Sequence, residues 1–262
     1  MNDMTVPQRS LIQRFAIVLA VVIQIGATFL PQLGFGDPIG DRSDSVRTLI
    51  TPSGWAFAIW GPLFLGSAIF ALWQAFPKQD RNQLLDRIAW PAAIALAAQG
   101  VWATYTQFAN LTVISAIIIL VSLAGLLICL RALSQEEALS TGERWLAGLV
   151  LSALAAWLTA ASIVNISATL VYHGVGGGFE YPLAAAAMVA IGGTIAALAV
   201  VRSRGNPWYA LVFCWALLAI YFRGGQEAQS IAIACIYAGV LVLIGMGIGL
   251  ARPGNRKHWL GF

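Results

Sequence analysis

Leu111–Leu130 reads LTVISAIIILVSLAGLLICL, twenty residues without one Asp, Glu, Lys or Arg. As a helix rising 1.5 Å per residue this stretch is about 30 Å long, the thickness of a bilayer's hydrocarbon core. Hydrocarbon offers no hydrogen bonds, so the backbone must satisfy its own polar groups, and a helix does so within one segment. Seven more stretches of this kind flank it: Leu11–Leu30, Gly54–Phe76, Ile88–Ala109, Trp145–Val171, Leu183–Val201, Pro207–Phe222 and Gln229–Ala251. Between the third and fourth spans only Asn110, Leu111 and Thr112 punctuate the run. Ile88–Leu130 is far too long for one crossing, so a tight turn is expected there. The sequence therefore predicts an all-α, polytopic membrane bundle of eight transmembrane helices.

The composition agrees. Of 262 residues, 59% are hydrophobic and 10% charged, whereas a soluble domain carries about 25% charged residues. Too few charges remain to cover a water-facing surface, which excludes a soluble enzyme, a disordered tail or a nucleic-acid binder. With a cytoplasmic N-terminus, twelve of the fifteen Lys and Arg fall in cytoplasmic segments; only Arg42, Arg47 and Arg223 fall outside. That asymmetry places both termini in the cytoplasm and reads the formal charge of +4 as topology. No small-x-small cleavage site follows the first apolar run, so the first helix is expected to stay uncleaved. Trp73, Trp90, Trp145, Trp208 and Trp259 all fall at cytoplasmic helix ends, where an aromatic belt is expected. Cys129, Cys214 and Cys235 are scattered in apolar runs and read as packing residues.

All eleven acids lie outside these spans, which argues against a proton-coupled transporter or pump. His258, in the basic tail, is expected to be solvated. His173 ends the fifth span, before Gly174–Gly178, without a His, Asp or Glu at metal-ligand spacing, and reads as an interface residue. The glycine run has no following Lys-Ser/Thr and is no phosphate loop. The spans contain amides and aromatics instead: Trp60, Gln99, Trp102, Tyr105, Trp157 and Asn165. Gln99, Trp102 and Thr106 share one helix face, and Trp157, Ala161 and Asn165 another. An amide without a partner in hydrocarbon costs several kcal/mol, so Gln99 and Asn165 should face the bundle interior. There they either line a small-molecule site with the aromatics or bond neighbouring helices.

Three motifs resemble a known family. Pro52-Ser53-Gly54-Trp55-Ala56-Phe57 with Trp60 and Phe64, Gln99-x-x-Trp102, and Trp157–Asn165 are similar to segments of the translocator protein/tryptophan-rich sensory protein (TspO/MBR) family. They fall on the second, third and fifth helices in the family's order. Ser53 departs from its second proline, the Trp55–Trp60 spacing is one residue short, Gln99 replaces Asn, and Ala160 replaces Phe. The likeness covers residues 1–172, a five-helix unit, and leaves 173–262 as three additional helices of the same membrane domain. It implies a pocket lined by Trp55, Phe57, Trp60, Trp102, Trp157, Ala161 and Asn165, with Gln99 and Tyr105 beside them and Pro31–Ile50 as a lid. That loop shows no clear helix signal.

The resulting expectation is a multi-pass protein of a bacterial inner membrane. It would be a binding protein, sensor or carrier for a hydrophobic planar ligand, tetrapyrrole- or sterol-like, in a pocket open to the outer leaflet. No cofactor is required; the resemblance implies a bound porphyrin or other apolar ligand. The partners expected are the lipid bilayer, that hydrophobic small molecule, and a second copy or another subunit of a membrane complex, with no nucleic acid. Two alternatives stay open: a transporter of a small neutral solute, in which Arg223–Glu227 is a gate or a plain turn, and a structural or assembly subunit. No metal set, paired carboxylates or nucleophile–base pair stands in the spans, so catalysis is the least expected role, although the resemblance leaves porphyrin degradation open.

Overall fold

The computed structural model describes residues 8–176 and 180–262. Gly177 and Gly178 of the glycine run therefore lie outside the described residues, as does Asp3. In chain order the helices are α1 (Leu11–Gly26), α2 (Ile39–Ser45), α3 (Trp60–Ala75), α4 (Gln83–Ala109), α5 (Val113–Gln135), α6 (Leu149–Tyr172), α7 (Pro182–Arg202), α8 (Pro207–Tyr221), α9 (Gly224–Glu227), α10 (Gln229–Ala251) and α11 (Asn255–Leu260). A 3₁₀ segment, Gly54–Ile59, leads into α3, and a π-helical turn, Glu143–Gly148, leads into α6.

Among the described residues, seven helical segments are long and apolar enough to cross a membrane. The remaining long helix, α4, has 27 residues, about 40 Å at 1.5 Å per residue, and so is long enough to cross a bilayer. Its mean hydropathy is held down by Gln99, Thr104, Tyr105, Thr106 and Gln107, and it packs between α1 and α5. The chain is a multi-pass integral membrane protein.

Capping sets the boundaries. Ser10 accepts from the Ile12 amide, and Gln13 returns a bond to the Ser10 amide, closing a capping box at α1. Asn82, Thr112 and Asn206 cap α4, α5 and α8 in the same way, each side-chain oxygen accepting a first-turn amide. Asn110 ends α4 at φ +72°, and its carbonyl accepts from Thr112. This is the tight turn the sequence requires.

Helices approach closely where side chains are small. Gly100 on α4 faces the Ile23 carbonyl of α1; a Cβ there would stand 2.6 Å from that oxygen. A Cβ on Gly193 of α7 would meet the Ala238 Cβ of α10 at 2.2 Å. Between apolar helices in lipid, such backbone proximity supplies the association energy that lipid tails cannot.

Side-chain contacts sort the loops into two ends. At the basic end Arg9 donates to the Gln74 carbonyl and Oε1, each at 2.9 Å. Arg14 pairs with Asp80, and Asn82 donates to Glu143. Arg144 donates to the His258 carbonyl at 2.9 Å. Burial, with Arg14 beside it, lowers the Arg9 pKa to about 10. At the opposite end lie the α4–α5 turn, the loop 27–53, the end of α6 and the α8–α10 connection. This alternation is the one the Lys/Arg distribution requires.

Two expectations for the tail are corrected. His258 is 2% exposed and Trp259 0%; neither is solvated or part of a belt. Trp259 Nε1 donates to the Ser203 carbonyl at 2.9 Å, and His258 Nδ1 lies 3.3 Å from Arg204 Nη1. The short helix α11 folds back under α7 and the start of α6, which sequence distance concealed. Trp73, Trp90, Trp145 and Trp208 keep exposed surface, as a belt requires.

Burial, together with Arg204 and Arg144, pushes the His258 pKa down from 6.5 to about 4. The folded state thus holds His258 neutral, while the released tail would protonate it near 6.5. The docking it contributes is fully present above that value and is lost as pH falls through about 4. Hydrogen-exchange protection across residues 255–260, taken relative to the intrinsic rate at each pH, should therefore fall on acidification from pH 7 to 4, and the fall should flatten in His258→Asn.

Candidate functional site

The loop from Pro31 to Ile50 folds over the bundle's less basic end. It is not featureless, as the sequence suggested. Pro31–Leu33 makes a 3₁₀ turn, and Pro38 stands at the N-cap immediately before α2. One half of the loop is tied to α4: the Asp37 amide donates to the Gln107 carbonyl at 3.0 Å, and Arg42 donates to the same oxygen. Arg42 also pairs with Asp37 at 2.8 Å. The other half is tied to α8 and α9. Arg223 pairs with Asp44 at 2.6 Å, Arg47 with Glu227, and the Ser53 amide and hydroxyl both donate to the Ala219 carbonyl. Gly224 lies against the Leu49 carbonyl, where no Cβ fits. Arg223–Glu227 is thus more than a plain turn, because it clasps this loop.

Beneath the loop lies a cavity of about 500 Å³ between α1, α3 and α4. Phe57, Trp60, Phe64 and Trp102 wall it, with Gln24, Thr28, Gln99 and Gln107 on α1 and α4. Pro31, Gln32, Pro38, Ile39, Gly40 and Asp44 roof it, and Arg223 closes one side. A smaller chamber of about 50 Å³ continues inward, lined by Trp157, Ala160, Ala161, Val164, Asn165, Ala216 and Ile220. Ile39, Phe57 and Trp102 line both.

The aromatic walls brace one another. Trp60 stacks on Phe64 at 5.0 Å and meets Trp157 edge-on at 5.9 Å; Phe57 meets Trp157 edge-on at 6.3 Å. Each such pair contributes about 0.5–1.5 kcal/mol beyond its burial. The 3₁₀ turn at Gly54–Ile59 and the helix beginning at Trp60 set Phe57 and Trp60 facing α6.

The polar groups divide by function. Gln24 Nε2 donates to Gln99 Oε1 at 2.8 Å, joining α1 to α4, and Gln107 Nε2 donates to the Ala27 carbonyl at 2.9 Å. Asn165 Oδ1 accepts from the Ser115 hydroxyl at 3.0 Å, joining α6 to α5. The opposite atoms of these amides remain without partners while buried: Gln24 Oε1, Gln107 Oε1 and Asn165 Nδ2, together with the indole N–H groups of Trp102 and Trp157. Buried polar atoms are normally paired. The residues that line the two chambers thus include buried donors and acceptors that the fold itself leaves unpaired.

Of the predicted residues, Phe57, Trp60, Gln99, Trp102, Trp157, Ala161 and Asn165 come together around the two chambers. Trp55 and Tyr105 do not. Trp55 is 42% exposed and packs edge-on against Trp215 at 4.9 Å; the 3₁₀ turn points it away from Phe57. The Tyr105 hydroxyl is 2.8 Å from Thr112 Oγ1 and braces the α4–α5 turn. His173 caps α6 and is exposed, and among the described residues no cluster of His, Cys, Asp or Glu could hold a metal. Sequence reasoning did not place Gln24, Gln107 or Asp44 at the site, and it took up Arg223 only within the gate or turn of the transporter alternative. Gln24 is an amide deep in an apolar span and answers to the argument made for Gln99. Gln107 lies eight residues, just over two turns, beyond Gln99. No local signal ties Arg223 to this cavity.

Comparison with known proteins finds one family, described as TSPO-like protein, whose model matches residues 10–248. The matched range takes in the C-terminal helices as far as α10. No curated protein and no solved structure matches the chain. The chain belongs to the TSPO-like family.

The Gln24–Gln99 bond can be tested by a double-mutant cycle. Gln99→Leu leaves Gln24 wholly unpaired and should lower stability in detergent by about 1–3 kcal/mol. Replacing both by Leu should recover most of that loss. A double variant no more stable than the single one would show that the bond does not join α1 to α4 energetically.

Proposed function

With TSPO-like family membership as the premise, we propose that this protein binds a hydrophobic planar ligand, tetrapyrrole- or sterol-like, as a membrane-embedded sensor or carrier. The observation that carries the reading is the aromatic-walled cavity of about 500 Å³ beneath a clasped loop. Its size lies within the roughly 300–1,000 Å³ of small-molecule sites, and its mixture of apolar wall and few polar groups is theirs as well. Trp60 and Trp102 offer faces for stacking. The free indole N–H groups of Trp102 and Trp157 and the Asn165 amide supply donors at the inner end, and Gln24 and Gln107 supply acceptors nearer the loop.

The topology adds a direction. The cavity opens at the end holding Arg42, Arg47 and Arg223, opposite the end that carries most Lys and Arg. Under the positive-inside rule that end faces away from the cytoplasm. In a bacterial inner membrane the ligand would then reach the site from the outer leaflet, beneath the loop 31–50.

Tryptophan-fluorescence titration with protoporphyrin in detergent tests the reading. Binding should be saturable. Trp60→Ala and Trp102→Ala should each weaken it about tenfold or more, the loss typical of a buried aromatic anchor. Trp55→Ala, which alters a tryptophan outside the cavity, should leave the affinity unchanged. Equal affinities across all three variants would remove the ligand from this cavity.

A further inference from the structure

Among the described residues lining the larger cavity, two are charged: Asp44 on α2 and Arg223 at the α8–α9 junction. They are 179 residues apart in sequence. Arg223 Nη2 donates to Asp44 Oδ1 at 2.6 Å, and Nη1 donates to the Pro52 carbonyl at 3.0 Å. The Arg223 side chain is 22% exposed and that of Asp44 58%. The cation is therefore set into the cavity wall, whereas its partner leans towards water.

Resting on the reading of this cavity as a ligand site, we propose that Arg223 is the counter-ion for an anionic group, a carboxylate or its equivalent, on an apolar planar ligand. The ligand's anion takes the place of Asp44. The Pro52 carbonyl keeps the guanidinium at the cavity whichever anion occupies Nη2. Exposed ion pairs contribute little to stability, so one carboxylate exchanges for another at small cost. The released Asp44 already has most of its surface in water. A guanidinium fork also accepts a carboxylate in bidentate fashion, which a neutral hydroxyl or carbonyl cannot match.

The exchange has a structural consequence. Asp44 belongs to α2, the roof of the cavity. Displacing it removes the Asp44–Arg223 ion pair that holds the loop on α8 and α9, while Arg47–Glu227 stays in place. An anionic ligand thus loosens the roof that a neutral ligand leaves latched. The C-terminal helices thereby set specificity for a cavity whose aromatic walls come from the first six helices.

Protoporphyrin and its dimethyl ester share one ring and differ in charge, so titration with both tests the proposal on the full-length protein. The wild type should bind the acid about tenfold more tightly than the ester, and added salt should narrow the gap, as expected for a partly exposed charge pair. Arg223→Gln should abolish the preference by weakening acid binding alone, and Arg223→Lys should retain part of it. Asp44→Asn, which removes the competing carboxylate, should tighten the acid and leave the ester unchanged. Equal binding of acid and ester by the wild type, or a preference that survives in Arg223→Gln, overturns the counter-ion role while the cavity reading stands. If Arg223→Gln does not fold, unaltered acid affinity in Asp44→Asn overturns it equally. Saturable binding of neither probe overturns the cavity reading, and the proposal with it.

Discussion

A polar side chain inside hydrocarbon must find a partner within the protein, and this structure is arranged around that requirement. Its spans contain amides and hydroxyls rather than carboxylates, and each amide fixes a pair of helices. Gln24 on α1 bonds Gln99 on α4, Asn165 on α6 bonds Ser115 on α5, and Asn206 before α8 bonds Ser152 on α6. Gln74 on α3 holds the Arg14 carbonyl of α1 and receives Arg9. Apolar side chains alone would not choose between rotations of a helix in lipid, because lipid tails are as apolar as leucine. The amides select one rotation each, and the glycine contacts at Gly100 and Gly193 let the helices close on it.

The same requirement explains why the cavity can exist. Aromatic rings packed edge to face around Trp157 keep the walls apart. Three of the amides beside the cavity, Gln24, Gln107 and Asn165, have one atom bonded to a neighbouring segment and the other buried without a partner. Gln99, Gln74 and Asn206 have both atoms bonded. Gln24, Gln99, Gln107 and Asn165 thus both join the helices and line the two chambers.

Much of this was legible in the sequence because the governing patterns are local. The uncharged run at Leu111–Leu130 and the stripe at Gln99, Trp102 and Thr106 each lie within one or two helices, and the twelve-to-three division of basic residues is a count that needs no tertiary contact. The tail was misread because basic composition suggested solvation, whereas His258 and Trp259 are buried by the start of α6 and the end of α7. Trp55 was misplaced because motif spacing does not reveal that a 3₁₀ turn sends Phe57 inward and Trp55 outward. The loop 31–50 hid a helix because seven residues, preceded by a proline and containing one glycine, give too little periodicity to read.

Arg223 shows where local reasoning ends. In sequence it is an arginine before two glycines, the composition of a turn. Its meaning depends on Gly224, which brings the α8–α9 junction against the Leu49 carbonyl and so puts the guanidinium beside Asp44 and Pro52. A larger residue at 224 would push the junction away from the loop and withdraw the charge from the cavity. The glycine therefore acts through distance: it allows two backbone segments, far apart in the chain, to share one ion pair. That contact makes the last helices part of the cavity's enclosure, because without them the roof would lose its anchors on α8 and α9 and keep only those on α4.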